Sequence, residues 1–130
     1  MNKTALFPPG SAFQAGQIKV SPGILSGDHV FLTGVTGSRS DGSMRSGIED
    51  QTKAAFDKIG AVLAEAGLSH EAIVEMTSYH VGLRDHFNVF NKIRCEYMSE
   101  PFPAWTAIEV AALRRPGALV EIRVIASCAR

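Results

Sequence analysis

Apolar residues recur at helical spacing in two parts of the chain, which predicts two amphipathic helices. The first is predicted to begin near Ile48, because Ser46 and Glu49 have the spacing of a capping box. It is predicted to end at Gly67, a residue type that often terminates helices. The second covers residues 85–98, and the prolines that follow prevent its continuation.

Other segments of the chain favour strands. Residues 21–37 are predicted to form a hairpin around a Ser-Gly-Asp turn, and residues 71–83 to form a long strand. Two final strands are predicted at residues 104–110 and 119–127. The resulting order, β-β-α-β-α-β-β, is that of a single α+β domain over residues 1–130 with a mixed β-sheet.

The two predicted helices each have one apolar stripe, so both are expected on the same face of the sheet. In the last strand Val120 and Ile122 point to one face and Glu121 points to the other. Trp105 and Ala107 share one side of the strand before it, and we expect that side to belong to the second face. A mixed face that includes a tryptophan favours burial against another subunit, so the pattern predicts a homo-oligomer.

The composition is that of a globular protein, since 45% of the residues are hydrophobic and 20% are charged. The formal net charge is zero, so no overall field attracts the chain to nucleic acid or to an anionic membrane. No apolar run approaches the roughly 20 residues of a membrane span, and the N-terminus lacks the apolar stretch of a secretory signal. We therefore expect a cytoplasmic protein with Cys95 and Cys128 reduced, although their separation also permits one disulfide.

Motifs for metal or nucleotide chemistry are absent from the sequence. His29, His70, His80 and His86 lack the spacing of metal ligands, and no cysteine motif accompanies them. The glycines of residues 33–42 do not have the spacing of a phosphate-binding loop. We predict neither a metal site nor a nucleophilic cysteine.

The end of the chain carries a family resemblance. "FPAWTAIEVAAL" (residues 102–113) and "PGALVEIRVIA" (residues 116–126) resemble two consecutive patterns, P-A-R-[ST]-x-x-E-V-x-x-L and V-E-I-x-x-I-A. These patterns are typical of the RidA/YjgF family, also called L-PSP proteins or reactive-intermediate deaminases. The match continues through "TG" at 33–34 and "FNVFN" at 87–91, so it covers nearly the whole chain.

The resemblance implies a chorismate-mutase-like α+β fold and a homotrimer with ligand-binding clefts between adjacent subunits. The best-known members of the family hydrolyse imines or enamines that pyridoxal-phosphate enzymes release, and the products are a keto acid and ammonia. They use no metal or organic cofactor of their own. We therefore expect a small-molecule ligand at the subunit interface and no cofactor.

Two positions depart from the family pattern. Trp105 stands where family deaminases have an arginine that binds the substrate carboxylate. A tryptophan offers an apolar face and one N–H donor, and it cannot neutralise that charge. Phe13 aligns with a family tyrosine and removes a second polar group. The departures favour a substrate that lacks the usual carboxylate and binds between aromatic side chains.

Other positions retain the family chemistry. Glu121 is the predicted catalytic residue, because a carboxylate in a partly dry cleft could hold the attacking water and manage its proton. The backbone near Ala107 could hold the imine nitrogen, Thr33 keeps a hydroxyl group, and Asn91 is retained. Glu109 is instead expected to make a structural hydrogen bond.

Each candidate residue also has a structural interpretation. Trp105 could serve only as interface packing, and Glu121 could pair with Arg123, two residues along the strand. Asn91 could cap a helix or lie in solvent, and Phe13 could anchor the N-terminal arm.

Three functional classes follow from the sequence. The first is a RidA-like hydrolase that deaminates imines, enamines or related reactive metabolites. The second is a non-catalytic small-molecule-binding protein with the same clefts, which the loss of the arginine favours. The third is an endoribonuclease or translation inhibitor, which the zero net charge and the single adjacent basic pair, Arg114 and Arg115, support poorly.

Overall fold

A computed structural model describes residues 2–128 of the chain. The elements follow in chain order: β1 (Lys3–Leu6), α1 (Ala12–Ile18), β2 (Gly23–Ser26), β3 (His29–Leu32), β4 (Val35–Thr36), α2 (Ile48–Ala64), a 3-10 turn (His70–Ala72), β5 (Ile73–His80), α3 (Leu83–Tyr97), β6 (Ala104–Glu109) and β7 (Val120–Ser127). The predicted hairpin, both long helices and the three later strands are confirmed, and the boundaries of the helices and of the later strands are shifted by up to three residues.

The described strands form one mixed sheet in the order β1-β2-β3-β7-β5-β6, with β4 paired to β7. β5 and β6 are parallel, because α3 carries the chain back between them, and the other pairs are antiparallel. β7 pairs with β3 through residues 125–127 and with β4 through residues 121–122. The change of partner occurs beside Thr33 and Gly34, which join β3 to β4.

One face of the sheet carries the core. Val120, Ile122 and Val124 of β7 are buried there, as the alternation of apolar residues predicts. Phe56 of α2 and Phe90 of α3 are fully buried in the same cluster, so the prediction that both helices lie on one face is confirmed.

The beginning of α2 differs from its prediction. Its N-cap is Gly47, at φ 84°, and no side-chain hydrogen bond caps the helix, so the predicted capping box of Ser46 and Glu49 is wrong. Glycine adopts this left-handed conformation without a steric penalty, and the turn comes one residue after the serine. Glu49 instead pairs with Lys53 one helical turn later, at 3.2 Å.

Two elements near the N-terminus were not predicted. The short helix α1 buries only Ala15, so its sequence has no apolar stripe that would indicate a helix. β1 adds to the sheet beside β2, with Lys3 opposite Ser26.

The position of Trp105 corrects a prediction about the second face. In the parallel register of β5 and β6, Trp105 lies beside Met76, which is buried in the core. Trp105 and Ala107 therefore lie on the face that the helices cover, while Glu121 lies on the opposite face. The second face has no tryptophan, but it exposes apolar side chains, among them Phe31 at 39% and Ile108 at 40%.

Cys95 and Cys128 are free thiols, which excludes a disulfide between them in this structure. Within residues 2–128, no helix is both long enough and apolar enough to cross a lipid bilayer.

Candidate functional site

Glu121 lies on β7 opposite Thr36, in contact with the turn that joins β3 to β4. A Cβ atom on Gly34 would stand 2.5 Å from Glu121 Oε2, so any larger residue there would displace this carboxylate from its observed position. The Glu121 side chain is half-buried, and among residues 2–128 no salt bridge or side-chain hydrogen bond holds it. The predicted alternative, a pair with Arg123, is wrong for this structure. A half-buried carboxylate without a protein partner can accept a proton from a bound water.

Thr33 lies next to Gly34 and is fixed by two hydrogen bonds. Its hydroxyl donates to the carbonyl of Ser21 at 2.7 Å, and its N–H donates to the carbonyl of Pro22 at 3.0 Å. The threonine oxygen can still accept a hydrogen bond, because a hydroxyl has two lone pairs. Thr33 and Glu121 therefore flank the same glycine.

A cavity of about 880 Å³ opens beside Thr33, between α1, α2 and the loop after β4. The amine of Lys58 lies in its wall and donates to the carbonyl of Thr36 at 2.7 Å. Burial lowers the pKa of Lys58 to about 8, and the charges of Arg45 and Arg115 add to this shift. The cavity wall is thus basic, and it adjoins the threonine of the predicted site.

Trp105 lies against α3 at the other side of the sheet. Its ring is stacked on Phe87, with 5.9 Å between ring centroids and 7° between planes, and it also contacts Phe90. The guanidinium carbon of Arg94 stands 4.0 Å from the Trp105 ring centroid, which is a cation–π contact. The Trp105 ring therefore packs against the positively charged guanidinium of Arg94.

Asn91 holds this cation in place. Its Oδ1 atom accepts hydrogen bonds from Arg94 Nε at 3.0 Å and from Arg94 Nη2 at 2.8 Å. The alternative of helix capping is wrong for Asn91, because the residue lies inside α3 and not at its end. The structure brings it together with Trp105, and the link between them is Arg94, which the sequence analysis did not identify.

A buried chain of hydrogen bonds continues from Trp105 into the core. Trp105 Nε1 donates to Ser78 Oγ at 2.9 Å, and Ser78 Oγ is 2.8 Å from His80 Nε2. His80 Nδ1 is in turn 3.1 Å from His86 Nε2. Burial lowers the pKa of His80 to about 4, and the neighbouring His86 adds to this shift, so His80 is neutral at pH 7.

Glu109 makes the structural hydrogen bonds that the sequence predicts. Its two carboxylate oxygens accept the backbone N–H groups of Gly82 at 3.0 Å and Leu83 at 2.7 Å. These bonds lower the pKa of Glu109 below its ordinary value, and they fix the first turn of α3 against β6.

The structure of this chain says less about the roles of the remaining two candidates, Ala107 and Phe13. Ala107 lies on β6, the last strand in the sheet order, on the same side as Trp105. Phe13 lies on α1 and is 76% exposed, so its interpretation as a packed anchor of the N-terminal arm is wrong. The site role of each residue stays a prediction.

The predicted residues thus form two groups within one chain. Glu121 and Thr33 lie around Gly34, and Trp105 and Asn91 lie between β6 and α3, together with Arg94, which was not predicted. β5 separates β6 from β7, and Trp105 and Glu121 point to opposite faces of the sheet.

Comparison with known proteins assigns the chain to a family. The family model described as Endoribonuclease L-PSP matches residues 12–128. The RutC family protein YjgH of Escherichia coli K12 is 36% identical over 127 residues, or 97% of this chain and 95% of that protein. The chain belongs to the RidA/YjgF family. The predicted family membership is confirmed.

Other RidA/YjgF proteins support the fold and differ in their named activities. The solved structure of protein YJGH has a TM-score of 0.90 and 34% identity, and the match covers 100% of this chain and 99% of that one. It confirms the predicted α+β fold. The human 2-iminobutanoate/2-iminopropanoate deaminase is 32% identical over 108 residues, which are 82% of this chain and 77% of that protein. The RidA/YjgF family therefore includes proteins named deaminases, while its family model carries an endoribonuclease description.

Proposed function

We propose that the protein hydrolyses the C=N bond of a small imine, or of the imine tautomer of an enamine, and releases ammonia. The observation that carries this proposal is the Glu121 carboxylate, which is half-buried against Gly34 and has no salt-bridge partner among the described residues. Relatives named deaminases supply the reaction class. The proposed reaction takes place in the cytoplasm and uses no cofactor.

Glu121 can manage the proton in both halves of this reaction. A water oxygen bonds to the imine carbon, while one water proton passes through Glu121 to the nitrogen, and a carbinolamine forms. The C–N bond then breaks as the hydroxyl proton moves to nitrogen by the same carboxylate. The products are a carbonyl compound and ammonia, and Glu121 returns to its starting state.

The proposed site is completed by a second subunit in a homotrimer. One chain cannot present Trp105 and Glu121 to the same small ligand, because they lie on opposite faces of the sheet. The face that bears Glu121 also exposes Phe31 and Ile108, which a neighbouring subunit would cover. In this arrangement the Trp105 side of one subunit adjoins the Glu121 side of the next.

The aromatic side chains of Trp105 and Phe87 influence which substrate side chains the proposed site favours. The indole N–H of Trp105 already donates to Ser78, so its ring offers a ligand only an apolar face. Together with Phe87 it favours an imine that carries an apolar or aromatic group. Trp105 alone also favours a substrate without a carboxylate, as the sequence suggests. Arg94 weakens that preference, because its guanidinium restores a positive charge at this position.

Ammonia release from imines that an amino-acid oxidase generates in situ tests the proposal. We expect the wild type to accelerate release from apolar or aromatic imines, and Glu121→Ala to lose this acceleration. Glu71→Ala is the matched control, because Glu71 is an exposed carboxylate on the 3-10 turn. An inactive wild type, or an active Glu121→Ala variant, contradicts the proposal.

Non-catalytic binding is the second candidate, and the replacement of the family arginine by Trp105 favours it. A wild type that binds imine analogues without releasing ammonia would support this candidate. Endoribonuclease activity rests on the family description, and a chain with zero net charge is poorly suited to it.

A further inference from the structure

We infer that Arg94 is the specificity-determining residue of the cleft and binds the carboxylate of a ligand that also carries an apolar or aromatic group. This inference rests on the proposed cleft. It concerns ligand binding, so it can be tested without turnover. The structural observation is one guanidinium that is fixed by two neighbours and retains unused hydrogen-bond donors.

The first neighbour fixes the plane of the guanidinium. Arg94 lies over the Trp105 ring at 4.0 Å, and Trp105 is itself stacked on Phe87 and tied to Ser78. A guanidinium that lies against an indole ring loses little further freedom when it binds a ligand, so the entropic cost of binding is reduced.

The second neighbour fixes which edge of the guanidinium remains free. Asn91 Oδ1 accepts from Nε and Nη2, which together form the side edge of the group. The remaining Nη2 proton has only Cys95 Sγ nearby, at 3.7 Å, and thiol sulfur is a weak acceptor. Nη1 has no acceptor among the described residues. The Nη1–Nη2 edge is therefore available, and its two parallel N–H groups match the two oxygens of a carboxylate.

The charge of this group is also uncompensated locally. No carboxylate lies within salt-bridge distance of Arg94 among the described residues, although four other acidic or basic side chains form such pairs elsewhere in that part of the chain. Asn91 orients the guanidinium without neutralising it, so the positive charge remains for a ligand. Asn91 is accordingly a positioning residue.

The indole and the guanidinium together define the ligand. The cation takes a carboxylate, while the aromatic surface of Trp105 and Phe87 takes the apolar part of the same molecule. With a tryptophan at the family arginine position, the positive charge is supplied by Arg94 on α3, and the Trp105 ring adds an apolar surface. The inferred ligands are 2-imino or 2-oxo acids with large apolar side chains.

Trp105 is the only tryptophan in the sequence, so its fluorescence reports this site directly. The probes are 3-phenylpropanoate and its uncharged analogue 3-phenylpropanamide, titrated into the intact protein. We expect the acid to bind the wild type about tenfold to a hundredfold more tightly than the amide, the range typical of charge-assisted hydrogen bonds. Arg94→Gln should abolish this preference. Arg94→Lys should retain part of it, because lysine keeps the positive charge but lacks the two parallel N–H donors of the guanidinium.

Arg84→Gln is the matched control, because Arg84 is an exposed arginine near the start of the same helix. Asn91→Ala should weaken acid binding less than Arg94→Gln, since it loosens the guanidinium and leaves its charge. Equal binding of acid and amide by the wild type, or an unchanged preference in a folded Arg94→Gln variant, overturns the inference. If the protein binds the acid but releases no ammonia, the inferred role of Arg94 in binding still holds and only the proposed hydrolysis is contradicted.

Discussion

Trp105 Nε1 donates to Ser78 Oγ at 2.9 Å, and this bond joins the indole to the buried chain of hydrogen bonds behind it. Ser78 Oγ accepts the indole proton and lies 2.8 Å from His80 Nε2, and a hydroxyl group, with one proton and two lone pairs, can donate to this nitrogen or accept from it. His80 Nδ1 lies 3.1 Å from His86 Nε2, so the chain continues to a second histidine. The residue at the family arginine position is thereby coupled to two buried histidines.

Removal of the serine hydroxyl should destabilise the protein. Ser78→Ala leaves the buried His80 Nε2 atom and the half-buried indole N–H without partners, and a buried unpaired group costs about 1–3 kcal/mol. Urea unfolding measures the loss. Thr77→Ala is the control, because Thr77 lies on the same strand and points to the other face. A loss no larger than that of the control contradicts the proposed chain.

Acidification should destabilise the fold through His80. Its pKa is about 4 in the folded protein and about 6.5 in the unfolded chain. The unfolded chain therefore binds the proton first, and the free energy of unfolding falls as pH is lowered from about 6.5 towards 4. Thermal melts at pH 7 and pH 5 measure this dependence, which should be smaller in His80→Gln than in the wild type. Equal pH dependence in both proteins would show that His80 does not cause it.

Gly34→Ala should displace the Glu121 carboxylate and lower activity with little effect on the stability of the fold. The new methyl group meets the Glu121 carboxylate, which is the free end of a flexible side chain, so the carboxylate moves and the backbone need not. We expect ammonia release to fall at least about tenfold, as misplacement of a catalytic group by about 1 Å can cost more. The urea midpoint should change little.

Gly16→Ala is the control for this substitution, because a Cβ atom at Gly16 meets no atom within 4 Å. Full activity of Gly34→Ala would show that the Glu121 position seen here is not required for the reaction.

The sequence predicted some of these relationships and missed others for physical reasons. Alternation along β7 correctly assigned Glu121 and Ile122 to opposite faces, because a strand has a period of two residues. The same period placed Trp105 and Ala107 on one side of β6, but it cannot tell which side meets the helices. The parallel register with β5 decides that, and it depends on contacts distant in sequence.

Arg94 was missed because its role arises only from tertiary contacts. Its distance from Asn91 is one helical turn, which sequence spacing can indicate, but its contact with Trp105 joins α3 to a separate strand. Likewise α1 carries no periodic signal, since Ala15 is its only buried residue. The family motifs therefore indicated Glu121 and the altered arginine position. Arg94, the cation that we propose in place of that arginine, could be identified only from the three-dimensional structure.

The exposed apolar face should hold the proposed trimer together. Ile108 lies on the Glu121 face and is 40% exposed, so Ile108→Asp would place a charge in the proposed subunit interface. We expect light scattering to show a wild-type trimer and a dissociated variant, with ammonia release lost because each cleft needs two subunits. Val89→Asp is the control, because Val89 is 42% exposed but lies on α3. A monomeric wild type that still releases ammonia would show that one chain suffices, which the opposite orientations of Trp105 and Glu121 argue against.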